Sequence, residues 1–299
     1  MYISPILFLK NRSYWRFFLL VLWIVPAIHS FAQEEVIPLY SGVAPGSEQW
    51  DWEEGVTTNT PIKLRIVYNV KQPTLSVYRP DSANGAAVLL IPGGGYYVIN
   101  IESEGNMLAR QLVKKGITVF VLKYRTGRTL SGDPWPEMLN NLKDTSNRQK
   151  LASVHPLIIA DAFTAMRYLR NHAPEYDFNP NKIGVIGFSA GGSLALKLCT
   201  TDKHEARPDF AGLIYTVYRP AANDTMPATV PPVFIACASD DVLASPANST
   251  ALFGAWLKAE RPAELHIYAK GGHGLWQSKS AGNWLRRFEE WLEEIGMMK

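Results

Sequence analysis

Cysteine is scarce in this sequence, and its scarcity excludes several kinds of protein. The 299 residues include two cysteines, Cys199 and Cys237, and six histidines. No cysteine or histidine cluster has the spacing of a metal site, and two cysteines cannot form a disulfide-rich scaffold. Both cysteines lie in apolar segments, so we expect two buried thiols, although export would allow them to form a disulfide.

A surplus of charge is also missing from most of the chain. Lysine and arginine together number 30, and aspartate and glutamate 27, for a net charge of +3. That surplus is carried by Lys10, Arg12 and Arg16, so residues 33–299 are neutral as a whole. A neutral balance gives no indication of a polyanionic partner, and we expect no nucleic acid to bind.

The long apolar run of this chain lies at its N-terminus. The three basic residues flank or precede an apolar stretch over residues 17–28, and the small residue Ala32 follows it. This order is typical of a secretory signal peptide, residues 1–32, and predicts a periplasmic or extracellular protein without a membrane attachment after cleavage. An uncleaved anchor is the alternative, but the run is shorter than the ~20 residues that span a bilayer.

The remainder has the composition and patterning of one folded domain over residues 33–299. Hydrophobic residues make up 47% of the sequence and charged residues 19%, as is usual for globular proteins. Apolar strands alternate with amphipathic helices over residues 86–198. The pattern predicts the α/β class, with a mostly parallel central sheet flanked by helices on both faces.

Three local expectations concern the parts around this sheet. Residues 63–69 and 74–79 alternate in polarity and predict an antiparallel hairpin at one sheet edge. A helix is expected to begin at Pro156, which suits a first helical turn. The polar segment 126–154 before it is long for a connection in a compact domain, so it is either a small lid over a site or a surface insertion.

The segment around Ser189 joins an apolar strand to a helix through a tight turn. Its sequence Gly-Phe-Ser-Ala-Gly, residues 187–191, has the pattern of a nucleophile elbow. Glycines at the flanking positions let strand and helix approach closely, which exposes the serine hydroxyl. The N–H of Ala190, at the start of the helix, would face an anion that forms beside Ser189. We therefore predict a catalytic nucleophile, with an ordinary glycine-rich turn as the alternative.

A second glycine-rich turn follows the apolar strand at residues 86–91. Its sequence Pro-Gly-Gly-Gly-Tyr-Tyr begins at Pro92 and is similar to the oxyanion turn of lipases and esterases, with proline where histidine is usual. Fixed backbone N–H groups at Gly94 and Gly95 would stabilise the negative charge that develops on an ester oxygen. A structural turn and a phosphate-binding loop are the alternatives, and the lysine expected of a phosphate loop is absent.

Two later segments offer an acid and a base. Asp240 and Asp241 follow an apolar strand, at the sheet edge where such folds place their sites, and either carboxylate could orient an imidazole. His273 follows the last strand within a glycine-rich turn, so its imidazole could reach Ser189 and act as general base. The order Ser, Asp, His along the chain is that of the α/β hydrolases.

These motifs together resemble those of secreted carbohydrate esterases of the α/β-hydrolase superfamily, the acetyl-xylan-esterase-like group, over roughly residues 37–295. The resemblance implies a serine esterase that removes acetyl groups from plant-type polysaccharides or oligosaccharides such as xylan. It also favours Asp241 as the acid, because that group has a serine eight residues later and Ser249 stands there. The long 126–154 segment departs from the shorter connection expected in the group.

The predicted mechanism is acyl transfer through an acyl-enzyme. Ser189 attacks the ester carbonyl, His273 moves the proton, Asp241 orients His273, and no metal or organic cofactor is required. Two other functions remain open on the sequence. One is a serine peptidase resembling the prolyl-oligopeptidase catalytic domain, which usually follows a large propeller. The other is a non-catalytic glycan-binding relative.

Overall fold

The structure is a computed structural model that describes residues 35–218, 226–275 and 278–298, without the side chains of residues 145–148 and 150. The predicted signal peptide, residues 1–32, lies outside the described residues. Residues 34–299 form one compact unit. In the described ranges, no helix combines the length and the apolar character needed to span a bilayer.

A central eight-stranded sheet organises this unit, in the order β1-β4-β7-β5-β8-β9-β10-β11. The pairs β1–β4 and β4–β7 are antiparallel, and all pairs from β7 to β11 are parallel. The predicted fold class, a mostly parallel α/β sheet, is therefore confirmed. The strands are β1 (Glu35–Pro38), β4 (Thr74–Tyr78), β5 (Ala87–Ile91), β7 (Thr118–Lys123), β8 (Ile183–Phe188), β9 (Phe210–Ile214), β10 (Val233–Ala238) and β11 (Ala263–Tyr268).

The middle of the sheet is buried because its strands are apolar throughout. Every residue of β5, β8, β9 and β10 is buried, as expected of parallel strands covered on both faces. Six α-helices accompany the strands in the described residues, along with shorter 3₁₀ and π turns. They are α1 (Met107–Leu112), α2 (Pro134–Lys143), α3 (Thr145–His172), α4 (Ala190–Cys199), α5 (Pro246–Lys258) and α6 (Trp284–Glu294).

The predicted hairpin at the sheet edge is wrong. Strand β3 (Ile66–Tyr68) pairs not with β4 but with β2 (Gly55–Thr57) and β6 (Val98–Ile99), in a separate three-stranded sheet. Asn69 ends β3 in a left-handed conformation with φ 56°, and its side-chain oxygen accepts a hydrogen bond from the Thr129 N–H at 2.7 Å. The hydrogen bond to Thr129 therefore holds the end of β3 against a later segment of the chain, and β3 pairs with β2 and β6 rather than with β4.

The predicted start of a helix at Pro156 is also wrong. Helix α3 begins eleven residues earlier, at Thr145, and Pro156 lies inside it. Segment 126–154 is thus largely helical, comprising α2 and the first turns of α3. Tertiary contacts override the local preference of proline for a first turn: the His155 ring lies edge-on to Tyr96, with centroids 5.0 Å apart.

A buried ion pair ties α3 to the end of β7. The guanidinium of Arg125, 1% exposed, lies 2.7 Å from the carboxylate of Asp161, which is fully buried. Arg125 also donates to the carbonyls of Pro45 and Leu157, so one side chain joins three segments of the chain. Elsewhere in the core, the two cysteines are buried free thiols, as predicted.

Candidate active site

Ser189 stands at the junction of β8 and α4 in a backbone conformation that few residues adopt. Its φ is 51° and its ψ is −116°, so the serine is strained by the turn it forms. The turn is tight because of two glycines. A side chain at Gly187 would come within 2.5 Å of the Gly191 carbonyl, and one at Gly191 would collide with the Ile91 carbonyl.

Three of the predicted site residues lie in one chain of hydrogen bonds. The His273 Nε2 atom is 3.0 Å from Ser189 Oγ, and His273 Nδ1 is 2.9 Å from Asp241 Oδ2. The Asp241 side chain has no exposed surface, whereas that of His273 is 22% exposed. A hydroxyl, an imidazole and a buried carboxylate in this order can move a proton from the hydroxyl to the imidazole.

The backbone holds the Asp241 carboxylate in place. Its Oδ1 atom accepts hydrogen bonds from the N–H groups of Leu243 and Ala244, both at 2.8 Å. The other oxygen is thereby left to face His273. This geometry favours Asp241 over Asp240 as the partner of the imidazole.

Asp240 has a different set of contacts. It accepts a hydrogen bond from the Gly272 N–H at 2.8 Å and lies 3.9 Å from the Lys270 ammonium. The Gly272 hydrogen bond is the main cause that lowers the pKa of Asp240 below its ordinary value. Asp240 thus fastens the loop that carries His273 rather than the imidazole itself.

The glycine turn, residues Gly93–Gly95, lies beside Ser189. The carbonyls of Gly93 and Gly94 point toward residues 97–100. Gly93 O accepts from Asn100 N at 3.0 Å, and Gly94 O accepts from Tyr97 N and Val98 N at 3.1 Å. The C=O and N–H of one trans peptide point in opposite directions, so the N–H groups of Gly94 and Gly95 point away from these contacts. Both residues and Ala190 line the same cavity as Ser189.

A cavity of about 910 Å³ opens in front of Ser189 and His273. One side, here called the sheet wall, consists of Ser189, His273 and the glycine turn. Another part of the lining, here called the helical wall, belongs to α2 and α3. Its apolar members are Trp135, Met138, Leu139, Leu142, Leu151 and Pro156.

The helical wall packs on the three-stranded sheet β2-β3-β6, here called the small sheet. Met138 of α2 is buried in one apolar cluster with Ile66 of β3, with Val98 of β6 and with Tyr97, which precedes β6. Trp135, Leu139 and Leu151 pack against the same cluster. The segment whose role the sequence left open therefore lines the cavity and is fixed there by apolar packing.

Two residues of the cavity were missed by the sequence analysis. Glu104 lies at the cavity with 5% exposure, and the sequence offered no reason to place it there. His155 also lines the cavity and was not among the candidate residues. A charged residue and a histidine on helices carry no local signal of burial, so no sequence pattern could have found them.

Metal-binding chemistry has no candidate in this site. Within the described part of the chain, acidic, histidine and cysteine side chains form no group of three that could hold a metal ion. The arrangement at Ser189 can instead support nucleophilic attack and proton transfer by the side chains themselves.

Comparison with known proteins finds similar sequences and a similar fold. Residues 145–219, which include Ser189, match the protein family described as BD-FAE. The crystal structure of an acetyl ester-xyloside bifunctional hydrolase from Caldicellulosiruptor lactoaceticus superimposes with a TM-score of 0.65 and 25% sequence identity, over 89% of this chain and 98% of that one. The chain therefore has the α/β-hydrolase fold.

Two curated relatives that this chain matches are named for xylan or its acetyl esters. An acetylxylan esterase of Xylanibacter ruminicola is 26% identical over 249 residues, which are 73% of this chain and 46% of that protein. An endo-1,4-β-xylanase B of Butyrivibrio fibrisolvens is 26% identical over 240 residues, 68% of this chain and 34% of that protein. The chain thus spans less than half the length of either relative.

The comparisons agree with the predicted enzyme class. The relatives and structural neighbours support a carboxylic ester hydrolase of the α/β-hydrolase type, similar to acetylxylan esterases. The matched relatives are longer proteins than this chain, so their activities carry over only as a basis for a proposal.

Proposed function

We propose that this α/β hydrolase is a serine esterase that removes short acyl groups, acetyl above all, from plant-type polysaccharides or oligosaccharides such as xylan. The observation that carries the proposal is the hydrogen-bonded series Ser189–His273–Asp241 at the rim of a large cavity. Similarity to an acetylxylan esterase and to an acetyl ester-xyloside hydrolase supports the acetylated carbohydrate as substrate.

In the proposed reaction, Ser189 attacks the ester carbonyl while His273 Nε2 accepts the hydroxyl proton. Asp241 keeps the imidazole oriented and stabilises its charged form. His273 then donates the proton to the departing sugar oxygen, which leaves an acyl group on Ser189. A water molecule, deprotonated by His273, attacks this acyl-enzyme and releases the carboxylic acid, so Ser189 recovers its proton.

The negative charge that develops on the carbonyl oxygen requires donors already in place. We assign this role to the N–H groups of Gly94, Gly95 and Ala190. Support comes from the carbonyls of Gly93 and Gly94, which point toward residues 97–100, and from the position of Ala190 at the start of α4. These N–H groups are fixed before substrate binds, so no reorganisation is needed during the reaction.

The helical wall is assigned to substrate binding. An acetyl group occupies a small part of a 910 Å³ cavity, which leaves space for the sugar to which it is attached. Segment 126–154 would then act as a fixed partial cap, which corresponds to the lid that the sequence offered as one of two alternatives. The protein would meet its polymeric substrate in the periplasm or outside the cell, if residues 1–32 direct export.

The test begins with acetate release from a panel of acetylated polysaccharides, with p-nitrophenyl esters of increasing chain length as comparison substrates. Ser189→Ala should lower turnover by about 10⁶-fold and abolish labelling by a fluorophosphonate. Ser82→Ala, at an exposed serine on a loop, should change neither. Near-normal hydrolysis by Ser189→Ala would disprove the serine mechanism, and cleavage of a dipeptidyl substrate in preference to esters would indicate a peptidase.

A further inference from the structure

A buried carboxylate lies beside the glycine turn, and the mechanism above leaves it unused. Glu104 sits in the π-helical turn Ile101–Asn106 and is 5% exposed. Turns of this kind are frequent at functional sites. An ionisable side chain is rarely buried to this extent without specific partners, so its contacts indicate what it does.

The partners of Glu104 are all hydrogen-bond donors. Its Oε2 accepts from the Gly93 N–H at 2.5 Å, and its Oε1 accepts from the Tyr215 hydroxyl at 3.0 Å and from Asn100 Nδ2 at 3.2 Å. Burial raises the pKa of Glu104 above its ordinary value and outweighs the opposing effects of the Gly93 hydrogen bond and the nearby His273 imidazole. The two carboxylate oxygens supply the acceptors that the three donors require.

One arm of Glu104 holds the glycine turn. The Gly93 N–H is bound by the carboxylate, and the Pro92 carbonyl next to it accepts from the Tyr124 hydroxyl at 2.8 Å. A side chain at Gly93 would lie 3.0 Å from Ser189 Cβ and 3.1 Å from Glu104 Oε2. The carboxylate therefore fixes the first peptide of the turn directly beside the nucleophile.

The other arm holds a ring against His273. Tyr215 follows β9 with a positive φ of 37°, a strained conformation for a residue with an aromatic side chain. Its ring centroid lies 4.9 Å from that of His273, and its hydroxyl is bound by Glu104. Glu104 thus contacts, through one carboxylate, both the glycine turn and the residue that packs on the imidazole.

We propose that Glu104 is a positioning residue that sets the glycine turn and the His273 imidazole relative to each other. This inference rests on the proposed function. The Glu104 carboxylate binds Gly93 and Tyr215, and through these two residues it acts on the reacting groups. Its loss should therefore weaken binding of the transition state more than binding of the substrate.

The decisive variant is Glu104→Gln, which keeps the size of the side chain. A glutamine has one carbonyl oxygen, so it cannot accept all three hydrogen bonds, and its amide opposes a donor. A displacement of about 1 Å near the reacting atoms costs about 10²-fold in rate. We expect kcat for p-nitrophenyl acetate to fall by about 10²-fold, with KM changed less than about threefold.

A boronic acid provides the readout that a purely structural role would not change. It bonds to Ser189 and places an oxygen where the ester oxyanion would lie. Its affinity should fall in parallel with kcat/KM in Glu104→Gln, while the melting temperature stays near that of the parent protein. Tyr215→Phe, which removes one arm only, should lose less activity than Glu104→Gln.

Glu102→Gln is the matched control, because Glu102 lies in the same turn but faces Arg65 and Arg110. It should leave kcat and boronate affinity unchanged. If Glu104→Gln does not fold, Glu104→Asp takes its place, since the shorter side chain keeps the charge but loses the reach to one arm; the same drop in kcat is expected.

The outcomes separate the two proposals. Absence of ester hydrolysis in the parent protein would reject the proposed function itself. An active parent with unchanged kcat and boronate affinity in the Glu104 variant would reject the positioning role alone. A raised KM, or a loss of activity that follows only a lowered melting temperature, would likewise overturn it and assign Glu104 to stability.

Discussion

The two walls of the cavity are built by different physical means. The sheet wall is held by hydrogen bonds: Gly93 and Gly94 bind neighbouring backbone and Glu104, and His273 binds Asp241. The helical wall is held by apolar packing of α2 and α3 on the small sheet. Hydrogen bonds fix direction, whereas apolar contacts are non-directional and tolerate changes of shape. We therefore expect the reaction geometry to depend on the sheet wall and the fit of a substrate to depend on the helical wall.

Removing the carboxylate that faces the imidazole should break the sheet wall most severely. Asp241→Ala is expected to lower kcat by about 10⁴-fold, because His273 loses the group that orients it and stabilises its charge. Asp240→Asn is the control, since Asp240 bonds to Gly272 and not to the imidazole. Steady-state kinetics on p-nitrophenyl acetate give the comparison, and equal losses in the two variants would contradict the assignment.

The buried ion pair between α3 and the end of β7 should affect stability rather than rate. Asp161→Ala leaves the guanidinium of Arg125 buried without its carboxylate, which should lower the free energy of unfolding by about 3–5 kcal/mol. Urea unfolding measures the change. Glu290→Ala breaks an exposed pair with Arg287 and should cost no more than about 1 kcal/mol. Similar losses in the free energy of unfolding of the two variants would show that the buried pair stabilises the fold no more than the exposed pair does.

A substitution on the helical wall itself should alter substrate fit and leave the chemistry intact. Leu142, 40% exposed, lines the cavity, so Leu142→Ala should weaken transition-state binding of a bulky ester by about 1–3 kcal/mol. For p-nitrophenyl acetate the change in kcat should be small. Leu130→Ala, at a residue 79% exposed and away from the cavity lining, should change neither. A large loss of kcat on the acetate in Leu142→Ala would remove the distinction between the walls.

The smallest expected effect concerns pH. Burial, with Lys197 nearby, lowers the pKa of His155 in the folded protein. Below the ordinary value of about 6.5, the unfolded chain binds a proton that the folded chain does not, so stability falls as pH decreases. His155→Gln should reduce the difference in melting temperature between pH 7.5 and 5.5. An unchanged difference would mean that His155 is equally protonated in both states.

The sheet wall was largely predictable because its parts have local signatures. Ser189 needs glycines on both sides for a tight turn, the glycine turn needs residues without side chains, and His273 follows a strand end in a flexible sequence. Each requirement restricts a few consecutive residues, so the pattern is visible in the chain. The choice between Asp240 and Asp241 required a resemblance, since both directly follow the same strand.

The helical wall and Glu104 were not predictable for the opposite reason. Leu139, Leu142 and Leu151 are ordinary helical residues whose place at the cavity depends on how α2 and α3 pack on the small sheet. That sheet was itself missed, because β3 pairs with β6 across residues distant in the chain. Burial of Glu104 likewise arises from Tyr215, 111 positions away. Such contacts are decided by tertiary structure, which periodicity does not record.

Proline at position 156 has a chemical consequence for the enclosed space. The ring nitrogen carries no hydrogen, so the carbonyl of Ala152, one turn earlier in α3, receives no bond from it. Ala152 and Pro156 both border the cavity. One main-chain carbonyl of α3 therefore lacks its usual i+4 donor where the helix borders the cavity, and exchanging the alanine for another residue would not restore that donor.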